Sequence, residues 1–391
     1  MRPLCPLLRI RRCNSLSLQR VILAFYRNTV AYAMLLMACA AFVACRAGAQ
    51  TPAPGEGSSV NRPDLGDNPA DAHAIFEFHS GFWINMHHFL YLQARIRNQQ
   101  STSRGNAAAL SDAASAASAT NSSSSPEWDA AVSYYAQHFA SRDLLFDDIM
   151  VLINDRMAEL EGCPDLSGRT SPACASGFRP EMIRLLEAAA PFYRAHWWPA
   201  QDQQNREWVE SEAELIRNLG GTLAEQLAEI YRTPWPKAPI RVDVVSYGGP
   251  FGAYTTLDPI HITLSSADPR DEGLAGFEIL FHESSHALAG SVEDGIEREC
   301  RQREIPVPRD LWHALLFYTT GEIVKRAFSH AARQKTFAAN ETSRYMPYAT
   351  RNGLYDRGWQ NYERLLEAYW QPYLDGKTDF DHALTAVVAH L

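Results

Sequence analysis

Apolar residues recur every three to four positions through most of the chain, the period of a helix with one buried face. Ile75, Phe78, Phe82, Trp83, Met86, Phe89 and Leu90 predict a helix over 71–98. The same spacing predicts helices over 128–140 and 143–160. Another runs from Pro180 to Trp197 and Trp198, where Pro199 should break it, and two more, 205–219 and 222–231, are divided by Gly220 and Gly221. At Thr233 the period changes to two. Residues 240–246, 253–256 and 259–265 alternate as strands do, with a turn at Gly248, Gly249 and Pro250. Leu274, Phe277, Leu280, Phe281, Ala287 and Leu288 then return to helical spacing. Asp271 and Glu272 suit the start of that helix and Gly290 its end. An acidic turn over 293–299 follows, then a helix from the N-cap Asp310 to Phe328 and one over 361–370, closed by Pro372 and Gly376. The expectation is a mainly α protein with a small antiparallel β-sheet, of the α+β class.

Composition adds boundaries. Residues 1–49 carry seven Arg, no Lys and no acidic residue, and 30–45 is an uncharged, mostly apolar run. With Ala47-Gly48-Ala49 ahead of Gln50, this reads as a secretory signal peptide cleaved near Ala49, with lipidation at Cys45 as the alternative. The chain is therefore expected to be exported, periplasmic or secreted, without a stable membrane span after cleavage. Residues 50–69, rich in Pro, Gly and Ser, read as a flexible tether, and 99–125 as a low-complexity insertion in a helical region spanning 70–235. Residues 236–391 hold the strands and the remaining helices. Removing the leader leaves 29 basic against 45 acidic residues, a formal net of −16. Such a surface argues against nucleic acid as a partner. In an oxidising compartment Cys163 and Cys174 are expected to pair across the Pro/Gly/Ser-rich loop between them, leaving Cys300 as a buried free thiol.

The chemistry concentrates in His282-Glu283-Ser284-Ser285-His286, the pattern H-E-x-x-H. Positions i and i+4 share one helix face, so the two imidazoles can grip one zinc ion, and Glu283 lies beside it as a general base. This helix resembles the active-site helix of the zincin metallopeptidases, and the resemblance covers roughly residues 240–325. It implies a Zn2+ cofactor, His282 and His286 as ligands, Glu283 as the base, and an antiparallel edge strand before the helix that holds a peptide or protein substrate.

A catalytic zinc needs a third protein ligand. The metzincin pattern fails, because the sixth residue past His286 is Val292 and the expected Gly falls at Ala289. The gluzincin pattern takes a Glu from the next helix, and Glu322 beside Gly321 fits it. Glu293 and Glu297 come next. His313 ranks lower, since it lies about 180° around the helix from Glu322. Tyr348, within a segment rich in Tyr and Arg, is the candidate oxyanion stabiliser, with Tyr345 and Tyr355 beside it. His88 reads as a histidine satisfied within a helical core, and His261 as a solvent-facing strand residue.

The leading expectation is an exported zinc metallopeptidase. The alternatives are a zinc hydrolase of a non-peptide amide or ester, and a non-catalytic helical binding or scaffold protein.

Overall fold

A computed structural model describes residues 75–102, 124–334 and 344–391. The leader, the tether and most of the 99–125 insertion lie outside the described residues.

Four strands form one sheet: β1 (Phe76–His79), β2 (Ile240–Val245), β3 (Ala253–Leu257) and β4 (Ile260–Ser265). Their order is β1-β2-β4-β3. β1 and β4 both run parallel to β2, and only β3 and β4 are antiparallel. The sheet is thus mixed rather than antiparallel: the expected strands β2 and β4 lie parallel, and an unforeseen strand, β1, opens the region expected to be wholly helical and adds a second parallel pair. β1 occupies four residues, too few for its alternation to stand out against the aromatic helix that follows.

That helix is α1 (Phe82–Thr102), followed by α2 (Pro126–His138), α3 (Asp148–Glu159), α4 (Pro180–His196), α5 (Trp198–Leu215) and α6 (Gly221–Ile230). Pro199 does mark a break, since α4 ends at His196 and a new helix begins at Trp198. Gly220 and Gly221 do not divide a helix. A π-helical turn, Ile216–Gly220, carries α5 into α6. Gly220 is needed for closeness instead: a Cβ there would lie 2.8 Å from Ile75 Cδ1 at the foot of β1. Cys163 and Cys174 form the expected disulfide, and Cys300 is free and buried.

After the sheet come α7 (Leu274–Ser285), a 3-10 turn (His286–Leu288), α8 (Gly290–Gln302) and α9 (Leu311–Gln334). Five shorter helices complete the described chain: α10 (Tyr348–Arg351), α11 (Leu354–Arg357), α12 (Tyr362–Tyr369), α13 (Gln371–Leu374) and α14 (Phe380–Ala389). Gly290 opens α8 instead of closing α7. The expected acidic turn is helical because Val292, Ile296 and Cys300 share one buried face there.

The sheet separates two apolar cores, and the pleat decides which side chain enters which. Val242, Val244, Ile262 and Leu264 join α7, α9 and the C-terminal helices in one core. Val245 and Tyr254 point the other way, into a core built on α1–α4. The polar side of the strands is covered too. Asp243 accepts from Arg241 and contacts His261 at 2.9 Å, while His261 also reaches Asp155 on α3 at 3.1 Å. His261 is therefore a buried ion-pair partner and not a solvent-facing residue. His88 behaves as expected: it is buried, with Asn154 2.9 Å from its Nε2.

Helix α7 is buried all round, not along one stripe. It meets α5 so closely at Gly276 that a Cβ there would lie 3.0 Å from Glu212 Oε1 and 2.6 Å from the Asp271 carbonyl. Glu212 is fully buried, and its Oε2 has no hydrogen-bond partner. Burial pushes its carboxyl up to about 8, against a weak hydrogen bond from Ser211. Keeping this group neutral in the fold favours stability below its ordinary value of 4.5, and that contribution is lost as pH rises through about 8. Glu212→Gln should therefore leave the Tm near pH 5 little changed and raise it at pH 9. The full shift is worth ~5 kcal/mol. A thermal melt series from pH 5 to 9 checks this, and parallel curves for the two proteins would contradict it.

Candidate metal centre

Helix α7 carries His282 and Glu283 in its last turn, and the 3-10 turn carries His286. The two serines between them suit the tight packing: Ser284 Oγ donates to the Leu280 carbonyl and Ser285 Oγ to that of Phe281, both at 2.8 Å. Ser285 also comes within 3.4 Å of Thr320 on α9. Against this face α9 presents its first turns, and His313 completes a triangle. The ring centroids of His282, His286 and His313 lie 5.0, 5.1 and 5.2 Å apart. Among the described residues these three form the group able to hold a metal ion, with one nitrogen from each lying within 4.8 Å of the others.

The donor chemistry fits a metal. His282 Nε2 faces His313 Nε2 at 3.2 Å. Two nitrogens bound tetrahedrally at about 2.0–2.1 Å from one zinc would stand about 3.3 Å apart. His282 Nδ1 is buried without a partner, so the ring's polar contact runs through Nε2 alone. All three imidazoles are held neutral, the form that donates a lone pair. Burial, then the neighbouring His286 and His313, takes His282 well below its ordinary value. Burial pushes His286 down to about 3 and His313 down to about 4.

Glu283 is buried between the triad and the edge strand. Its Oε2 lies 3.9 Å from His286 Nε2. Thr255 Oγ1 on β3 is 2.7 Å from that Oε2 and 2.9 Å from the Glu283 carbonyl oxygen, so one hydroxyl proton is shared between them. This fixes the carboxylate and leaves Oε1 without a hydrogen-bond partner among the described residues. Burial pushes the carboxyl up to about 7, partly opposed by Thr255.

His282 is fully buried, whereas His286, Ala287, Trp312, His313 and Trp359 are half-buried and mark the accessible side. Beneath the triad the rings stack inward. Phe317 lies on His282 at 3.5 Å between centroids and 17° between planes, and Tyr348 lies on Phe317 at 5.7 Å and 17°.

Two expected residues are elsewhere. Glu322 accepts from Lys325 at 3.0 Å on the far side of α9, and His313 stands where it was expected. Nine residues separate them, half a revolution of the helix, and α9 turns the histidine face to α7. Gly321 lies close to Pro347 and to Glu278, one turn before the motif on α7. Glu293 and Glu297, on α8, are also outside the triad. The Tyr348 hydroxyl is committed to Asp271 Oδ1 at 3.1 Å, and its backbone N–H to Glu278 at 3.0 Å. Tyr348 is thus a buried support under the site and not a hydroxyl over it. Tyr345 likewise donates to Glu278, at 2.6 Å.

No family model matches the chain, and neither a curated protein nor a solved structure was found to be similar to it.

Thr255 invites a test. Thr255→Val keeps the shape of the side chain and removes the hydroxyl that fixes Glu283. Should the triad support hydrolysis, turnover is expected to fall roughly 10-fold with metal content unchanged. Loss of metal together with activity would point to damage beyond the Glu283 carboxylate.

Proposed function

We propose that this chain is an exported zinc-dependent metallopeptidase, with His282, His286 and His313 as ligands and Glu283 as general base. The observation that carries the reading is the convergence of three imidazoles, one buried and two half-buried, beside a buried carboxylate whose orientation the edge strand fixes. A zinc ion at this triad would supply Lewis acidity toward water and a substrate carbonyl. Glu283 Oε1, the oxygen not engaged by Thr255, takes the proton of the attacking water and returns it to the leaving amine. Thr255 holds the carboxylate in place through that transfer. β3 is the sheet's outer strand, so an extended peptide backbone paired with it would run past Glu283, which Thr255 on that strand holds. The burial of α7 and the inward stack of Phe317 and Tyr348 keep bulk water behind the site away.

The test is zinc content of the purified chain by elemental mass spectrometry, paired with hydrolysis of a mixed peptide pool. About one zinc per chain and cleavage abolished by a chelator are expected. No bound metal after reconstitution would overturn the reading. A zinc-loaded chain inert on peptides but active on small amides or esters would replace the substrate and keep the chemistry.

A further inference from the structure

The accessible side of the triad is walled by indoles. Trp312 lies nearly parallel to His313, with centroids 5.1 Å apart and planes at 26°, and meets His286 edge-on at 5.5 Å. Trp359, between α11 and α12, meets the same His313 at 5.5 Å and 73°. Tyr355 and Phe317 back it at 6.1 and 5.8 Å. Both indoles are half-buried, so each keeps a face or edge for something else. Each touches His313, yet they make no ring contact with one another. An aromatic side chain brought against the remaining face of either indole would gain the packing that rings show at ~4.5–7 Å between centroids.

The edge strand points the same way. Phe251, just before β3, is 70% exposed, and Leu257 at its far end is 57% exposed. Large apolar side chains thus stand open to a ligand at both ends of the strand beside Glu283. A backbone laid along β3 would pass these two residues and Thr255, which holds Glu283.

We infer that Trp312 and Trp359 select the substrate: they receive a bulky apolar side chain, aromatic for preference, on the residue adjoining the bond cleaved. This rests on the peptidase reading above and adds its substrate class. The two indoles are specificity residues and take no part in proton transfer. Aromatic stacking and the area buried favour such a side chain over Gly or a charged residue.

The test uses zinc-loaded chain and a peptide set varied at one position through Phe, Trp, Leu, Gly and Asp. Binding is read on Glu283→Gln by fluorescence anisotropy, and kcat and KM on the wild type. The wild type should prefer Phe, Trp and Leu over Gly and Asp by roughly 10-fold or more, mostly in KM. Trp312→Ala and Trp359→Ala should each reduce that ratio below about threefold with zinc still at one per chain, and Trp→Phe should restore it. An unchanged ratio in both Ala variants would overturn the inference, as would wild-type chain that cuts the Gly peptide as well as the Phe peptide. Either result leaves the peptidase reading standing. If Trp312→Ala sheds zinc, that indole supports His313 and the selectivity claim fails for it. A zinc-loaded wild type that neither binds nor cleaves any member overturns both readings.

Discussion

Glu283→Gln should bind zinc as the wild type does and lose nearly all turnover. The amide is the same size and can still accept the Thr255 hydroxyl, so the last turn of α7 keeps its shape. What disappears is the ability to take a proton. General-base removal at a positioned side chain costs about 10²–10⁴-fold, and the loss should fall on kcat rather than KM. Two measurements decide it: zinc per chain by elemental mass spectrometry, and the rate on a peptide that the wild type cleaves. Full activity in a zinc-loaded Glu283→Gln would falsify the assigned base. A variant that loses its metal would mean that Glu283 supports the triad rather than acting in the reaction.

The second large effect separates two residues on one helix. His313→Ala should drop zinc to well below one per chain at micromolar metal, with affinity weakened roughly 100-fold or more, beyond the usual cost of an outer partner. Glu322→Ala should hold zinc as well as the wild type. Its carboxylate pairs with Lys325, and exposed pairs of this kind contribute little. Thermal melts give an independent reading. Added zinc should raise the Tm of the wild type and of Glu322→Ala, and leave His313→Ala unmoved, because only a bound ligand shifts the folding equilibrium. The opposite pattern would restore Glu322 as the ligand.

This pair also shows where sequence stops being informative. His282, Glu283 and His286 are legible because their geometry is local: one turn of helix sets it whatever surrounds them. The third ligand is a tertiary fact. Both His313 and Glu322 sit on a well-predicted helix, and only the packing of α9 on α7 decides which half-revolution faces the motif. Gly321 is where α9 comes close to Pro347 and to Glu278 on α7, and that approach leaves Glu322 beside it turned away from the motif. His261 teaches a related lesson. Alternation along β4 marks one polar face; it does not say that water covers it. Here α3 supplies Asp155 and the face becomes a buried ionic layer. β2, β3 and β4 were found within a residue or so because each has enough length for the period to register. β1 has four residues and only its partner, far along the chain, identifies it.

That partnership bears on how the protein is made. Phe76 pairs with Ile240. Everything from α1 to α6 must therefore leave the ribosome before β1 has an edge to join. Until then its aromatic residues have no sheet to cover them, and six helices wait on a closure whose entropy grows with the length of the intervening loop. A nascent chain arrested before β2 should be a sticky, protease-sensitive species that favours holdase chaperones. Release of the last strands should convert it in one cooperative step, which makes translation past Ser265 the point of commitment to the native state.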